Sequence, residues 1–262
     1  MKLLLVLFVV FLCVVQAKEN DLYFNAGLIG MSMDYREYDD NEQILDSEKS
    51  DISQMMGVEF GVSYVLNAAD GDYSELNAAF ERITGKTDYV GAYLGSGEGY
   101  GSLKSTTHNT SINFDANYIY GLSLNESWHI LLGAAFGYRS WERALMPNQM
   151  ETYSWAYAAP KLGAAYVQNL FKLTLMTDYR YAVSPKMTAT GIRDEFKLGS
   201  ANAFEGSVKG NYSLTQKVAI YAAYIYEYQK IEKSNVLSGS GYFEPDSRAN
   251  NQYIKFGLRF KY

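Results

Sequence analysis

The stretch Asn251-Gln-Tyr-Ile-Lys-Phe-Gly-Leu-Arg-Phe-Lys-Tyr262 repeats with a period of two residues. From Ile254 to Tyr262 every second residue is apolar, and the residues between them are cationic apart from Gly257. A β-strand places alternate side chains on opposite faces, so the stretch predicts a strand with one apolar and one charged face. Similar alternation recurs along the 262-residue chain, which predicts an all-β fold.

The composition is typical of strands that are apolar on one side and polar on the other. Tyrosine is the most abundant aromatic residue, with 24 copies, and the mean hydropathy is slightly negative. A transmembrane barrel has this composition because its strands face lipid outside and polar groups inside. The net charge of −6 gives no reason to expect nucleic acid as a partner.

The first residues have the pattern of a secretory signal peptide. Met1 and Lys2 precede an uncharged apolar run from Leu3 to Val15, and small residues at the cleavage position end with Ala17. We therefore predict a signal peptide over residues 1–17 and one barrel domain over residues 18–262. The single cysteine, Cys13, would leave with the signal, so no disulfide or thiolate metal site is expected.

The strand at 251–262 resembles the closing strand of Gram-negative outer-membrane β-barrels, a family that includes the porins. The resemblance implies a porin-like, up-and-down antiparallel barrel in the cell outer membrane, in contact with outer-membrane lipid and lipopolysaccharide. It also implies that the barrel-assembly machinery recognises an assembly signal composed of Phe256, Leu258, Phe260 and Tyr262.

About ten strands are predicted, with both ends in the periplasm and aromatic girdles at both membrane interfaces. The long external connections are expected near residues 37–50, 103–106, 144–149, 184–199 and 232–250. Strand three is placed at Asp88–Leu103. Strands one and six change the parity of their apolar residues midway, so bulges are predicted near Gly30 and at Pro160, with Trp155 and Tyr157 in the outer girdle.

Residues 73–84 depart from the two-residue period. Asp72 and Glu75 fit a capping box, and apolar residues follow at helical spacing. We predict a short amphipathic periplasmic helix over Tyr73–Thr84, at the membrane surface or at the barrel mouth. The alternative is a strand whose outward residues are Leu76, Ala78 and Phe80.

The predicted inward positions carry charges of both signs. They are Glu59, Asp115, Arg139, Lys172, Asp178, Arg180, Glu205, Lys209, Glu227, Lys255 and Arg259. Buried charges need partners, so one interpretation is a paired, structural interior, in which acids such as Glu59 or Glu227 pair with Lys255 and Arg259. The other is a narrow passive pore for small solutes, whose lining charge sets selectivity.

No catalytic, metal or cofactor site is predicted. The strand count resembles that of the omptin proteases, but the Asp-x-His of their catalytic site does not occur here. His108 lies near Thr110 and Ser111, which leaves a lipid A-modifying enzyme as an alternative. His129 is expected to form an interior hydrogen bond, and one histidine makes no metal site.

The predicted external connections leave a surface role open. The segment from Arg36 to Asp51 is acidic, which predicts a solvated loop or, alternatively, a divalent-cation site that bridges to lipopolysaccharide phosphates. A surface adhesin would use these external loops. The sequence thus predicts an outer-membrane barrel that is structural or a narrow pore, with an enzyme or adhesin as alternatives.

Overall fold

The computed structural model describes residues 20–68, 71–92, 99–146, 149–238 and 241–262, so the predicted signal peptide lies outside the described residues. The described residues form strands and contain no helix. The strands are β1 (Asn20–Tyr38), β2 (Ile44–Asn67), β3 (Tyr73–Gly91), β4 (Leu103–Ser123), β5 (Trp128–Met146), β6 (Gln149–Gln168), β7 (Phe171–Ala189), β8 (Phe196–Lys197), β9 (Ala201–Ser213), β10 (Val218–Ile231) and β11 (Asp246–Lys261).

Ten of these strands close into an antiparallel barrel. Consecutive strands pair from β1 to β7, β7 pairs with β9, and the order continues through β10 to β11. The ring closes where β11 pairs with β1, from Tyr23 opposite Lys261 to Tyr38 opposite Asp246. The short β8 adds to the outer end of β7. The predicted barrel architecture is confirmed.

Among the described residues, none lies in a helix that is long and apolar enough to cross a membrane.

The helix predicted at Tyr73–Thr84 is wrong, because these residues are the first part of β3. They pair with β2 on one side and with β4 on the other. The capping-box residues have other partners: Asp72 accepts a hydrogen bond from the Ser123 amide at 2.8 Å, and Glu75 faces the interior. Two neighbouring strands form hydrogen bonds with the backbone groups all along this segment, and this tertiary pairing outweighs a local capping preference.

The strand predicted at Asp88–Leu103 is also wrong. β3 ends at Gly91 and β4 begins at Leu103, so this segment is mainly the connection between them. One predicted helix is a strand and one predicted strand is mainly a connection, so the predicted count of ten barrel strands is still correct. In both versions the chain runs outward along the third strand and back along the fourth.

The predicted bulges near Gly30 and at Pro160 are wrong. β1 stays in register with β11 over its length, and β5 and β6 stay in register from Trp128–Tyr166 to Ala144–Met150. The apolar residues that change parity point into the barrel instead. These inward residues are Met31, Met33, Tyr35, Tyr153, Trp155 and Tyr157. Trp155 and Tyr157 are therefore interior residues and not part of an outer girdle.

The irregularities occur on other strands. β2 carries extra residues between Lys49 and Met55, which shifts its register against both neighbours. β7 shifts against β6 near Ser184, which has a φ of 49°.

The predicted acidic loop at Arg36–Asp51 is also mostly strand, because β1 reaches Tyr38 and β2 begins at Ile44. Its turn is stabilised by Asp39, whose carboxylate accepts hydrogen bonds from two backbone amides.

The outer wall is a broad apolar surface. Large side chains on all ten barrel strands are exposed there, and Leu28 and Phe256 are each more than half exposed. In a water-soluble protein such an area would be unfavourable, because apolar patches of a few hundred Å² already mark contact surfaces. The polar and charged residues of the same strands point inward. The barrel is thus apolar outside and mostly polar inside, which is the pattern of transmembrane barrels.

Candidate functional site in the barrel interior

A tyrosine from β10 crosses the inner wall over two glycines. Tyr221 is opposite Gly257 on β11, Gly257 is opposite Gly27 on β1, and Gly27 is opposite Glu59 on β2. Tyr221 lies along this row and donates a hydrogen bond to the Glu59 carboxylate. A Cβ atom at Gly27 or at Gly257 would be 2.3 Å from the tyrosine oxygen, so only glycine leaves room at these positions.

The middle of the interior is occupied by a network centred on Glu227. Arg139 on β5 donates two hydrogen bonds to Glu227 on β10, at 2.9 and 2.8 Å. These strands are four places apart in the ring, so the pair spans the lumen. Arg180 donates to Glu227 at 3.0 Å and also pairs with Glu205 and Asp178. Bidentate arginine–carboxylate geometry of this kind fixes both side chains.

Outlying groups extend this network. Lys161 pairs with Asp178 at 2.6 Å. Asp115 accepts a hydrogen bond from Tyr157 at 2.9 Å. Asn251 donates to Glu227 at 3.0 Å. Each of the central charges therefore contacts a partner of opposite charge or a hydrogen-bond donor, which is the condition for burying charge.

A second group of charges lies nearer the periplasmic end. Lys255 pairs with Glu59 at 3.1 Å and also with Glu81. Arg259 pairs with Glu75 at 3.2 Å. Lys172 on β7 donates to the hydroxyl of Tyr73 on β3 at 3.1 Å, again across four strands. Lys209 lies over the Tyr221 ring, 4.5 Å from its centroid.

The structure thus brings all eleven sequence-predicted charges to the inner wall, and most of them contact one another. Glu59 pairs with Lys255, one of the partnerships considered from the sequence. The sequence did not place Glu75 and Glu81 inside, because they fell in the predicted helix. The alternation of Glu75, Asn77, Ala79 and Glu81 with apolar Leu76, Ala78 and Phe80 was the pattern that could have revealed them.

An apolar layer lies toward the extracellular side of this network. It contains Met31, Met33, Met55 and Trp141, all buried. The gap between these side chains and Arg139 is about 20 Å³, which is room for about one water molecule. This layer therefore fills the lumen with side chains.

A further space lies below that layer, with a volume of about 150 Å³. It is lined by charged groups that include Glu81, Lys161, Arg180 and Glu205. This volume is enough for a few ordered water molecules, and its polar lining favours them. It is closed toward the outside by the methionine and tryptophan layer.

The extracellular half holds a second buried network, centred on Arg143. Its guanidinium contacts Glu37 at 2.7 Å, Glu48 at 2.8 Å and Glu151 at 3.0 Å. The arginine is 1% exposed and lies over the Tyr35 ring, 4.5 Å from its centroid. Tyr35 donates a hydrogen bond to Glu37. None of these residues was predicted from the sequence to belong to the interior network.

The connection between β10 and β11 covers the extracellular mouth. Ser234 and Glu244 pair through two hydrogen bonds, and Leu237 is buried beneath the connection. Glu244 extends to β6 and accepts a hydrogen bond from Tyr153. Burial, together with the nearby carboxylates Glu37 and Glu151, raises the pKa of Glu244 well above its usual range. We call residues 232–238 and 241–245 the cap.

The two histidines lie in different settings. His108 on β4 is exposed on the outer face, opposite Lys86. His129 is buried near the periplasmic end, with its Nε2 atom 3.3 Å from the Gly71 carbonyl oxygen. Among the described residues, no three histidine, cysteine, aspartate or glutamate side chains are arranged to hold a metal ion.

The fold is similar to that of solved outer-membrane barrels. No protein-family model and no curated protein matches the sequence. The outer membrane protease OmpT from Escherichia coli matches with a TM-score of 0.55 and 10% identity, over 94% of this chain and 99% of that chain. The translocator domain of the autotransporter NalP from Neisseria meningitidis matches with a TM-score of 0.44 and 12% identity, over 98% and 93% of the two chains. The chain therefore has the fold of the outer-membrane β-barrel proteins, closed on ten strands.

Proposed function

We propose that this protein is an outer-membrane barrel with a closed interior, which serves as a structural barrel and not as a pore. The observation that carries the proposal is the series of side-chain contacts that cross the lumen at several heights. Lys172–Tyr73, Arg139–Glu227 and Arg143–Glu37 each join strands four places apart. The apolar layer between the two arginine networks leaves room for only about one water molecule.

The membrane location is part of this proposal. Its support is the apolar outer wall, the polar interior and the outer-membrane fold. In the outer membrane the wall would contact lipid and lipopolysaccharide, and assembly would use the barrel-assembly machinery. We propose Phe256, Leu258, Phe260 and Tyr262 as the assembly signal, since the first three are exposed on the outer face of the closing strand.

The proposal contains no catalytic step. Most of the interior acids and bases are held in ion pairs, and Asp115 and Lys172 are hydrogen-bonded to tyrosines, so these groups are poorly placed to exchange protons with a substrate. His108 is on the outer face, away from these groups. Lipid A mass spectra that stay unchanged on overexpression, together with uncleaved peptide substrates, are the expected results. New lipid A species or cleaved peptide would instead support an enzyme.

Conductance across a planar lipid bilayer tests the closed interior. The purified, folded protein is expected to give no discrete current steps above the bare bilayer, because ions cannot pass the filled layer. Flotation with lipid vesicles serves as the control that the same sample is inserted. Reproducible ohmic steps from inserted protein would contradict the proposal and support a narrow passive pore for small solutes.

A role in surface contact is a second candidate, supported by apolar side chains at the extracellular connections. Leu45 at the start of β2 is exposed there, as are Tyr100, Val236 and Phe243 in the connections. Replacement of all four by serine should abolish binding of whole cells to a surface if the protein is an adhesin. Unchanged cell binding by this variant would argue against that role.

A further inference from the structure

We propose that the periplasmic half of the barrel interior binds a small hydroxylated monocarboxylate, of the sugar-acid class, in a recess of the inner wall. The recess extends from β9 through β10, β11 and β1 to β2 and β3. The inference goes beyond the structural role proposed above and rests on the same membrane orientation, because the ligand would enter from the periplasm. Two observations carry it: a local surplus of cations, and polar atoms that have no protein partner.

The inner wall at this level carries one more cation than it carries carboxylates. Apart from the Lys261–Asp21 pair near the chain end, the described inward cations are Lys172, Lys209, Lys255 and Arg259, and the carboxylates are Glu59, Glu75 and Glu81. Lys255 pairs with two of these carboxylates, which leaves Glu75 to the other three cations. Asp115, in the adjoining central network, already accepts hydrogen bonds from Tyr157 and Asn117. This part of the wall therefore has a local surplus of one positive charge.

Two of these cations have donors that no described protein group uses. Lys209 lies over the Tyr221 ring and forms no ion pair or hydrogen bond in the part of the chain that the structure describes. Arg259 stacks on Tyr23, 4.0 Å from the ring centroid, and donates to Glu75 through Nη2 at 3.2 Å. The Nε atom of Arg259 is buried and has no partner among the described residues. Because Lys209 and Arg259 also repel each other, an anion between them would occupy the free donors and reduce the repulsion.

An asparagine lies beside each of these two cations. Asn25 is the ladder partner of Arg259, and Asn211 is two residues from Lys209 on the same face of β9. The side-chain oxygens of both asparagines are buried and accept no hydrogen bond from any described residue. A hydroxyl group can donate to an amide oxygen or accept from an amide nitrogen, so it pairs with an asparagine in either orientation. Free cationic donors beside free amide oxygens therefore favour a carboxylate that also carries hydroxyl groups.

Small side chains leave space in front of these polar groups. Gly61 and Ala79 lie in the ladder row that contains Arg259. β10 presents Ala219 and Ala223 opposite the two cations. Ala79 also lines the space of about 150 Å³ beneath the apolar layer, so the recess continues into that space. This size suits a small organic acid and not a polymer.

The ligand would reach the recess from the periplasmic side. Inward residues around it, including Tyr23, Lys209 and Asn211, are partly exposed. On the extracellular side the apolar layer and the buried Arg143 network close the lumen. An anionic lipid is a poor candidate, because its acyl chains would have to displace water from charged groups of the interior. A small water-soluble acid has no such cost.

Isothermal titration calorimetry of the folded protein in detergent tests the recess, with D-gluconate as the probe. Lys209→Gln should bind gluconate about tenfold more weakly than wild type, because a charge-assisted contact to the carboxylate is lost. The matched control Lys217→Gln removes an exposed cation from the turn between β9 and β10, outside the recess, and it should bind like wild type. Asn211→Ala should weaken the binding of gluconate and leave the weaker binding of acetate, which has no hydroxyl groups, unchanged.

No gluconate binding by folded wild type would overturn the proposal, as would equal affinities of Lys209→Gln and Lys217→Gln. Equal binding of acetate and gluconate would refute the hydroxyl contacts, and tighter binding of inorganic phosphate than of gluconate would refute the carboxylate. Mobility shifts on heating show that each variant is folded before it is titrated. Current steps in the planar bilayer would refute the closed interior proposed above, whereas these titrations in detergent bear on the recess alone.

Discussion

Arg143 is buried against three carboxylates, and all three together offset the free-energy cost of burying its guanidinium. Burial of an arginine is costly unless its donors are satisfied. Here Glu37, Glu48 and Glu151 approach the guanidinium from β1, β2 and β6, and Tyr35 and Trp141 pack against it. One cation therefore reduces the repulsion among these three acids.

We predict that Arg143→Met lowers the free energy of unfolding by roughly 3–5 kcal/mol, because it leaves several buried carboxylates without a cation. Urea unfolding followed by tryptophan fluorescence measures the loss, since Trp141 packs beside Arg143. Lys186→Met is the control, because the Lys186–Glu195 pair is solvent-exposed and its removal should leave the unfolding midpoint near that of wild type. Equal urea unfolding midpoints for the two variants would contradict this prediction.

Glu244 in the cap gives stability a dependence on pH. A carboxyl group whose folded-state pKa is raised binds its proton more tightly in the folded protein than in the unfolded chain. Its contribution is fully present below the unfolded value of about 4.3 and is lost as pH rises through the folded pKa. The groups that face it are Tyr153 and Glu151 on β6, Glu37 on β1 and Arg143 on β5.

We therefore expect the unfolding midpoint to fall as pH rises from about 4.3 toward neutral, and Glu244→Gln to reduce this fall. The amide stays neutral, so the variant should be more stable than wild type at neutral pH. Glu232→Gln is a suitable control within the same connection, because Glu232 forms only an exposed pair with Lys230. A wild-type slope retained in Glu244→Gln would assign the pH dependence to other carboxyl groups.

At the scale of elements, β3 shows how partners decide secondary structure. Its first half contains residues at helical spacing and a capping-box pattern, and both favour a helix when the segment is considered alone. The same residues also alternate, with Leu76, Ala78 and Phe80 outside and Glu75 and Glu81 inside. β2 and β4 each offer a complete ladder of hydrogen bonds, so the strand is formed.

Spin labels placed one at a time from Leu76 to Glu81 test β3 directly, in a Cys13→Ser background that has no other cysteine. Collision with oxygen, which concentrates in lipid, should be high at Leu76, Ala78 and Phe80 and low at Asn77, Ala79 and Glu81. This period of two follows from the strand geometry. A period near 3.6 residues would instead indicate an interfacial helix.

At the scale of the molecule, the interior changes character along the barrel axis. The periplasmic and central parts are filled by ion pairs, whereas a layer of methionine and aromatic residues separates them from the Arg143 network. The apolar layer explains why Met31, Met33 and Tyr35 appear to break the alternation of β1. The strand keeps its register, and its inner surface changes from polar to apolar.

The sequence determined the strands, because a strand with one apolar and one polar face repeats with a period of two. The inward position of the eleven charged residues follows from that period, whereas closure into a barrel was implied by the resemblance of the last strand to those of outer-membrane barrels. The ion pair between Glu59 and Lys255 was also among the pairings considered from the sequence. The local sequence pattern was enough to predict which side chains face inward wherever each face of a strand has one uniform environment.

Only the tertiary structure decided which inward residues meet. Tyr221 reaches Glu59 because Gly257 and Gly27 lie between them in one row, and these residues are far apart in sequence. Arg143 meets Glu48 for the same reason, through register across intervening strands. An inner wall can be polar or apolar at any height, so the alternation by itself does not show whether the lumen is open or filled. Packing across the lumen decides that, because it depends on side chains from opposite strands that no local pattern connects.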